Sequence, residues 1–160
     1  MTRALLKMMP LFAWLLAGAA TAGPPQAFEA DSPAAIAARY AGRPYVLAFW
    51  SLECGHCQKE LRVLADVSSR HPDLPLVLVS ADAPELAAAV SAHLAALGLA
   101  AADNWLFADP APERLRYAVD RKWRGELPRT YLYDGDGSVR VVSGTLGEAQ
   151  LWVWLASRLP

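Results

Sequence analysis

Six consecutive apolar residues, Tyr45-Val46-Leu47-Ala48-Phe49-Trp50, stand between Pro44 and a polar turn that begins at Ser51. A strand with one wet face alternates apolar and polar residues, whereas an unbroken apolar run of this length suits a strand covered on both faces. The run is therefore expected at the centre of a sheet with helices on either side. Its neighbours agree. Ser32-Pro33 opens a short helix through Tyr40, with Ser32 as the cap and Gly42 as the stop. Beyond the run, Leu61, Leu64, Ala65 and Ser68 fall at helical spacing in a segment from Cys57 to Ser69, and Leu76 to Val79 reads as a second buried strand.

The same reading continues to the C-terminus. Pro84 opens an alanine-rich helix to Leu97 with Gly98 after it, Trp105-Leu106-Phe107 is a short strand, and Pro112 to Val119 is helical. Thr130 to Tyr133 and Val139 to Val142 flank Asp134-Gly135-Asp136-Gly137, a hairpin signal that predicts an antiparallel pair. Gly147 to Leu159 is expected as an amphipathic helix that buries Leu151, Trp154 and Leu155. Alternating strands and helices followed by a hairpin define an α/β class with a mixed central sheet and helices on both faces.

The first 22 residues have a different character. Arg3 and Lys7 precede an apolar run from Met8 to Ala20, and Ala20-Thr21-Ala22 has the small-residue pattern of a cleavage site. Residues 1–22 are therefore expected to be a signal peptide, 23–31 a Pro/Gly-rich linker, and 32–160 the domain. An uncleaved anchor is the competing reading, but the run is short for a span and contains Pro10 and Gly18. Removal of the segment leaves 13 basic against 16 acidic residues, a charge of −3 where the full chain carries −1. Neither value offers the positive surface that nucleic acid requires, so no nucleic-acid partner is expected. Export, to the periplasm in a bacterium, would put the two cysteines where pairs can be oxidised.

Those cysteines form Cys54-Gly55-His56-Cys57, directly after the apolar strand and at the start of the following helix. Two cysteines three apart can bind a metal, make a structural link or cycle between dithiol and disulfide. A structural zinc site ordinarily takes four ligands, and His56, His71 and His93 supply no second knuckle. A bridge closing so small a loop constrains little of the unfolded chain. Redox cycling has positive support, because the N-terminal end of a helix favours an anion and lowers a thiol pKa. Cys54 is then the attacking sulfur and Cys57, one turn into the helix, the resolving one. The pair itself is the redox group, with no bound cofactor. His56 could supply a hydrogen bond or positive charge to the Cys54 thiolate, whereas Glu53 beside it would oppose ionisation.

The stretch Phe49-Trp50-x-x-x-Cys54-Gly55-His56-Cys57-Gln58-Lys59-Glu60-Leu61 resembles the active-site segment of the thioredoxin superfamily, in its exported TlpA/ResA-like branch. A second match, Gly125-Glu126-Leu127-Pro128-Arg129-Thr130 and the hairpin after it, is similar to that family's proline loop. The resemblance spans about Ala34 to Leu159. It implies a thioredoxin-like fold, a cis Leu127–Pro128 bond against the cysteine pair, and a Leu127 backbone open to a substrate strand. Pro128 read from composition alone is an ordinary strand-start proline.

Glu60 matches an acidic residue of this branch, three positions after the second cysteine. Either it takes and returns the Cys57 proton, or it is a solvated glutamate on the helix surface. The buried acid that many thioredoxins carry on the strand before the motif corresponds here to Ala48, which makes Glu60 the substitute. Trp123, near the proline loop, is expected to flank a substrate groove, while His71 and His93 are expected at the surface.

The resemblance further implies a protein-disulfide reductase acting on protein thiol and disulfide substrates, and a monomer is expected. A membrane electron donor would feed it, with cytochrome c maturation as one setting. A disulfide oxidase or isomerase, and a non-catalytic module that handles copper through its two thiolates, stand as alternatives.

Overall fold

The computed structural model describes residues 23–158. The segment 1–22, expected as a signal peptide, lies outside the described residues. Six strands form one sheet: β1 (Gln26–Phe28), β2 (Tyr45–Trp50), β3 (Leu76–Ser80), β4 (Asp103–Phe107), β5 (Arg129–Tyr133) and β6 (Val139–Ser143). Among the described residues five α-helices accompany them: α1 (Ser32–Arg39), α2 (Gly55–Arg70), α3 (Ala87–Ala96), α4 (Pro112–Val119) and α5 (Glu148–Ala156). The strand order is β1-β4-β3-β2-β5-β6, with β2 parallel to β3 and antiparallel to β5.

The expected centrality of the apolar run is met in full. Every residue of β2 is buried. Because successive side chains point to opposite faces, Val46, Ala48 and Trp50 join one cluster while Tyr45, Leu47 and Phe49 join another. The first cluster is closed by α2, α3 and α5 through Leu61, Leu64, Val90, Leu94, Leu151 and Trp154. The second is closed by α1 and α4 through Ile36 and Leu115, and it is rich in aromatic rings. The predicted hairpin is antiparallel, with Tyr131 opposite Val141.

Three expectations need correction. The stretch 23–31, expected as a linker, contributes β1, which runs parallel to β4 and buries Phe28 completely. Three residues carry too little pattern to be read as a strand, and an edge strand is stabilised by its partner rather than by its own sequence. Ser32 does not cap α1, since its hydroxyl accepts the Glu29 N–H at 2.9 Å and Asp31 occupies the cap position. The helix expected from Pro84 is a 3₁₀ turn over Pro84–Leu86 leading into α3. Gly98 ends it with φ +76°, a conformation that suits glycine.

Candidate functional site: a cysteine pair at a helix start

The N-terminal end of α2 carries a disulfide between Cys54 and Cys57, with Cα atoms 5.2 Å apart. Cys54 is the cap residue in extended conformation, and its sulfur accepts the Cys57 N–H at 3.1 Å. That contact uses one of the unpaired N–H groups of a helix start, and it would favour negative charge on the Cys54 sulfur once the pair is reduced. The two sulfurs differ in access. Cys54 is partly exposed, whereas Cys57 is 0% exposed and belongs to the core beneath α2. The division into an approachable sulfur and a shielded one follows from the helix geometry.

The loop that presents Cys54 is held from three directions. Asp82, just beyond β3, accepts the Leu52 N–H at 3.0 Å and the Ser80 hydroxyl at 2.6 Å. Gln58, the residue after Cys57, donates its amide to the carbonyls of Leu52 at 3.3 Å and Ser51 at 3.4 Å. His93 of α3 then meets the Gln58 Oε1 at 2.5 Å through Nε2, and its ring stacks on Trp50 at 5.6 Å. Since the Gln58 nitrogen is committed as a donor, its oxygen must accept, so the network assigns the proton to His93 Nε2. His93 was expected at the surface; its half-buried place here depends on Gln58 and Trp50, 35 and 43 residues away in the chain, which periodicity does not show. His71 is likewise half-buried, edge-on to Trp152 at 5.4 Å.

Glu60 is 2% exposed, which removes the reading as a solvated surface glutamate. One carboxylate oxygen accepts the Thr130 hydroxyl and the other accepts the Leu146 N–H at 2.5 Å. Burial pushes its carboxyl above the ordinary range, and the two hydrogen bonds oppose that shift. Thr130 is the register partner of Ala48. The carboxylate missing from position 48 thus reaches the same part of the sheet from α2. Cys57 and Glu60 are three apart and both buried, so they share the inner face of that helix.

The proline loop closes the other side. The Leu127–Pro128 bond is cis, as the resemblance implied. Phe49 pairs with Arg129, so Pro128 enters β5 beside the end of β2 from which the Cys54 loop departs. Pro128 is buried, and its carbonyl accepts the Gly144 N–H at 2.9 Å. Neither the N–H nor the carbonyl of Leu127 is hydrogen-bonded among the described residues, and its side chain packs against both clusters.

Arg129, to which the sequence reading assigned no role, anchors this loop. Its guanidinium is buried and meets Asp120 at 2.5 Å, Glu126 at 2.6 Å and the Tyr131 hydroxyl at 3.0 Å. A hydrogen bond from the Lys122 N–H, with Arg129 alongside, holds Asp120 below the usual carboxylate range. An arginine inside a strand next to two upstream acids was the available signal. Trp123, expected to flank a substrate groove, is 4% exposed, packs on Phe49 at 4.6 Å and donates to the Glu126 carbonyl at 2.9 Å. It supports the loop from beneath, because its size favours full burial against the aromatic cluster. His56 stands exposed in the first turn of α2 with no hydrogen bond among the described residues, and Glu53 is exposed as well.

A mixed sheet with the cysteine pair at the first turn of α2 and a cis-proline loop facing it defines a thioredoxin-like fold. Solved structures bear this out. A secreted disulfide oxidoreductase of Mycobacterium tuberculosis, described as homologous to E. coli DsbE, is 23% identical with a TM-score of 0.62 over 75% of this chain and 85% of that one. A thioredoxin-family thiol:disulfide interchange protein from Chlorobium tepidum TLS is 17% identical, TM-score 0.62, over 78% and 85%. StoA from Bacillus subtilis is 22% identical, TM-score 0.53, over 71% and 83%. No protein-family model matches the chain, and no curated protein matches its sequence. Among the described residues no group of three or more His, Cys, Asp or Glu side chains is placed to hold a metal ion, and no helix is long and apolar enough to cross a membrane.

Proposed function

We propose that the protein is an exported thiol-disulfide oxidoreductase that reduces disulfides of other extracytoplasmic proteins. The observation that carries this reading is the asymmetric pair at the start of α2, with Cys54 approachable and Cys57 fully buried. In the reduced protein the Cys54 thiolate attacks one sulfur of a client disulfide, forming a mixed disulfide as the other client sulfur leaves and takes a proton. Cys57 then loses its proton, attacks the Cys54 sulfur and releases the second client thiol. Two electrons pass to the client, and the Cys54–Cys57 bond is re-formed. A dithiol donor, at the membrane in this reading, returns the electrons.

Roles follow from placement. Glu60, on the inner face of α2 with Cys57 and with its carboxyl raised by burial, accepts the Cys57 proton. The unbonded Leu127 backbone pairs with an extended client segment, and Pro128 fixes its position. His56, exposed beside Cys54, tunes the thiolate. Export is supported by the N-terminal sequence pattern and by the description of the Mycobacterium neighbour as secreted. Maturation of c-type cytochromes is one setting for such a reductase.

The test is reduction of insulin disulfides by purified protein with a dithiol reductant. Wild type should turn over, Cys54→Ser should not, and Cys57→Ser should accumulate a mixed disulfide. An inactive wild type removes the reading. The direction is read from the reduction potential: a value near or below thioredoxin's, roughly −270 mV, fits a reductase, and one far above it fits an oxidase.

A further inference from the structure

A concave site lies on α4, in the stretch of chain that leads into the proline loop. Between α4, the turn that follows it and Ala30 of the loop before α1 is a cavity of about 620 Å3, within the range that holds small ligands or a few peptide side chains. Its walls carry Arg114, Arg116, Arg121 and Arg124, with Glu113 as the acidic residue. Tyr117, 54% exposed, and the buried Trp123 add aromatic surface.

The charge here departs sharply from the chain as a whole. Residues 113–124 hold five basic side chains against Glu113 and Asp120, in a protein whose net charge is −1. Asp120 is already bound to Arg129 at 2.5 Å and offers these arginines little. Arg121 lies over the Tyr117 ring at 4.9 Å and donates to its hydroxyl at 2.6 Å, which ties it to a neutral partner and leaves its charge unpaired by any acid among the described residues. Arg114 reaches Asp109 only at 3.7 Å. The side chains of Arg116 and Arg124 have no ion pair or hydrogen bond among the described residues. Gly125, at φ +101°, leaves room for Arg116, since a Cβ there would stand 3.3 Å from its Nε.

Arg124 is three residues before Leu127, a span of at most about 10 Å of extended chain. A client segment paired with the Leu127 backbone therefore runs within reach of these guanidinium groups. We propose that the arginine-lined cavity docks an acidic segment of the client protein, a few residues from the cysteine that Cys54 attacks. This deepens the exchange reading above and rests on it. Guanidinium forks match carboxylates in pairs, and uncompensated positive charge beside the exchange site raises the encounter rate with acidic clients.

The experiment uses the reduced full chain in single turnover, followed by tryptophan fluorescence. Three disulfides are compared: a cystine peptide flanked by Asp and Glu, the same peptide with Asn and Gln, and neutral bis(2-hydroxyethyl) disulfide. At low salt the acidic peptide should react about tenfold faster than the neutral one, and the advantage should fall to within about twofold at 0.5 M salt. Arg116→Gln/Arg124→Gln should erase the preference, with the rate on bis(2-hydroxyethyl) disulfide unchanged. Equal rates for the two peptides overturn the proposal, as does a preference that survives the double variant. Equal rates together with a citrate-induced rise in Tm assign the cavity to a small anion instead. Failure to reduce even bis(2-hydroxyethyl) disulfide defeats the exchange reading, and this inference with it.

Discussion

The two faces of the sheet are packed to the same depth with different chemistry. Against one face, Phe28, Phe49, Trp105, Phe107 and Tyr131 form contacts such as the 5.7 Å edge-on pair of Phe28 and Phe49 and the 5.5 Å stack of Phe28 and Phe107. Against the other, Cys57 and the carboxylate of Glu60 are buried among leucines. Cysteine is at home in an apolar core, but a buried carboxylate costs several kcal/mol unless it is hydrogen-bonded, as Glu60 is by Thr130 and Leu146. The comparison teaches that one face is given to packing alone, while the other, no less apolar, also houses a cysteine and a carboxylate.

The largest effect expected is chemical. Cys54→Ser should lower the exchange rate roughly 10³-fold or more, measured by insulin reduction, while leaving the circular dichroism spectrum unchanged. On the aromatic face, Phe28→Ala should cost about 3–5 kcal/mol in denaturant unfolding, because it empties a fully buried ring site. The rate per folded molecule should be unaltered; a lowered rate would break the division between the faces. A loss below about 1 kcal/mol would instead return residues 23–31 to the status of a linker.

Glu60→Gln sharpens the comparison from the other side. It should slow the resolving step by roughly 10–100-fold, read as longer-lived mixed disulfide. It should also change stability with a definite sign. Burial raises the folded-state carboxyl above its unfolded value, so the stabilisation that Glu60 provides is complete below the unfolded pKa and is lost as pH rises through the folded one. The Tm of Glu60→Gln should therefore gain on wild type as pH is raised, and a constant difference between pH 4 and 8 would contradict this. The smallest effect belongs to His93→Ala. Loss of its contacts with Gln58 and Trp50 should reduce the rate about fivefold, consistent with roughly 1 kcal/mol of loop positioning. His93→Gln, which can still donate to Gln58, should recover most of it.

The legibility of the chain tracks the range of the interactions involved. Tyr45 to Trp50 announces a central strand because both of its faces must be apolar, and Cys54 to Cys57 announces a helix start by its place after that strand. The hairpin is written in its Asp-Gly pairs. Against these, β1 exists only because β4 offers it a parallel partner 79 residues away, Gln26 against Trp105. Arg129 reads as a misplaced charge until Asp120 and Glu126 are seen folded back on it. His93 is one polar residue in an alanine-rich helix until Trp50 lies beneath it.

By itself the sequence determined the class of sheet, the helix whose start carries the cysteine pair and which of two cysteines would face outward, since these follow from backbone period and from the place of the pair on a single helix. Only the tertiary structure decided that Glu60 is buried rather than solvated. Its partners Thr130 and Leu146 are 70 and 86 residues away, and desolvation depends on what packs overhead rather than on the residue's own neighbours in the chain.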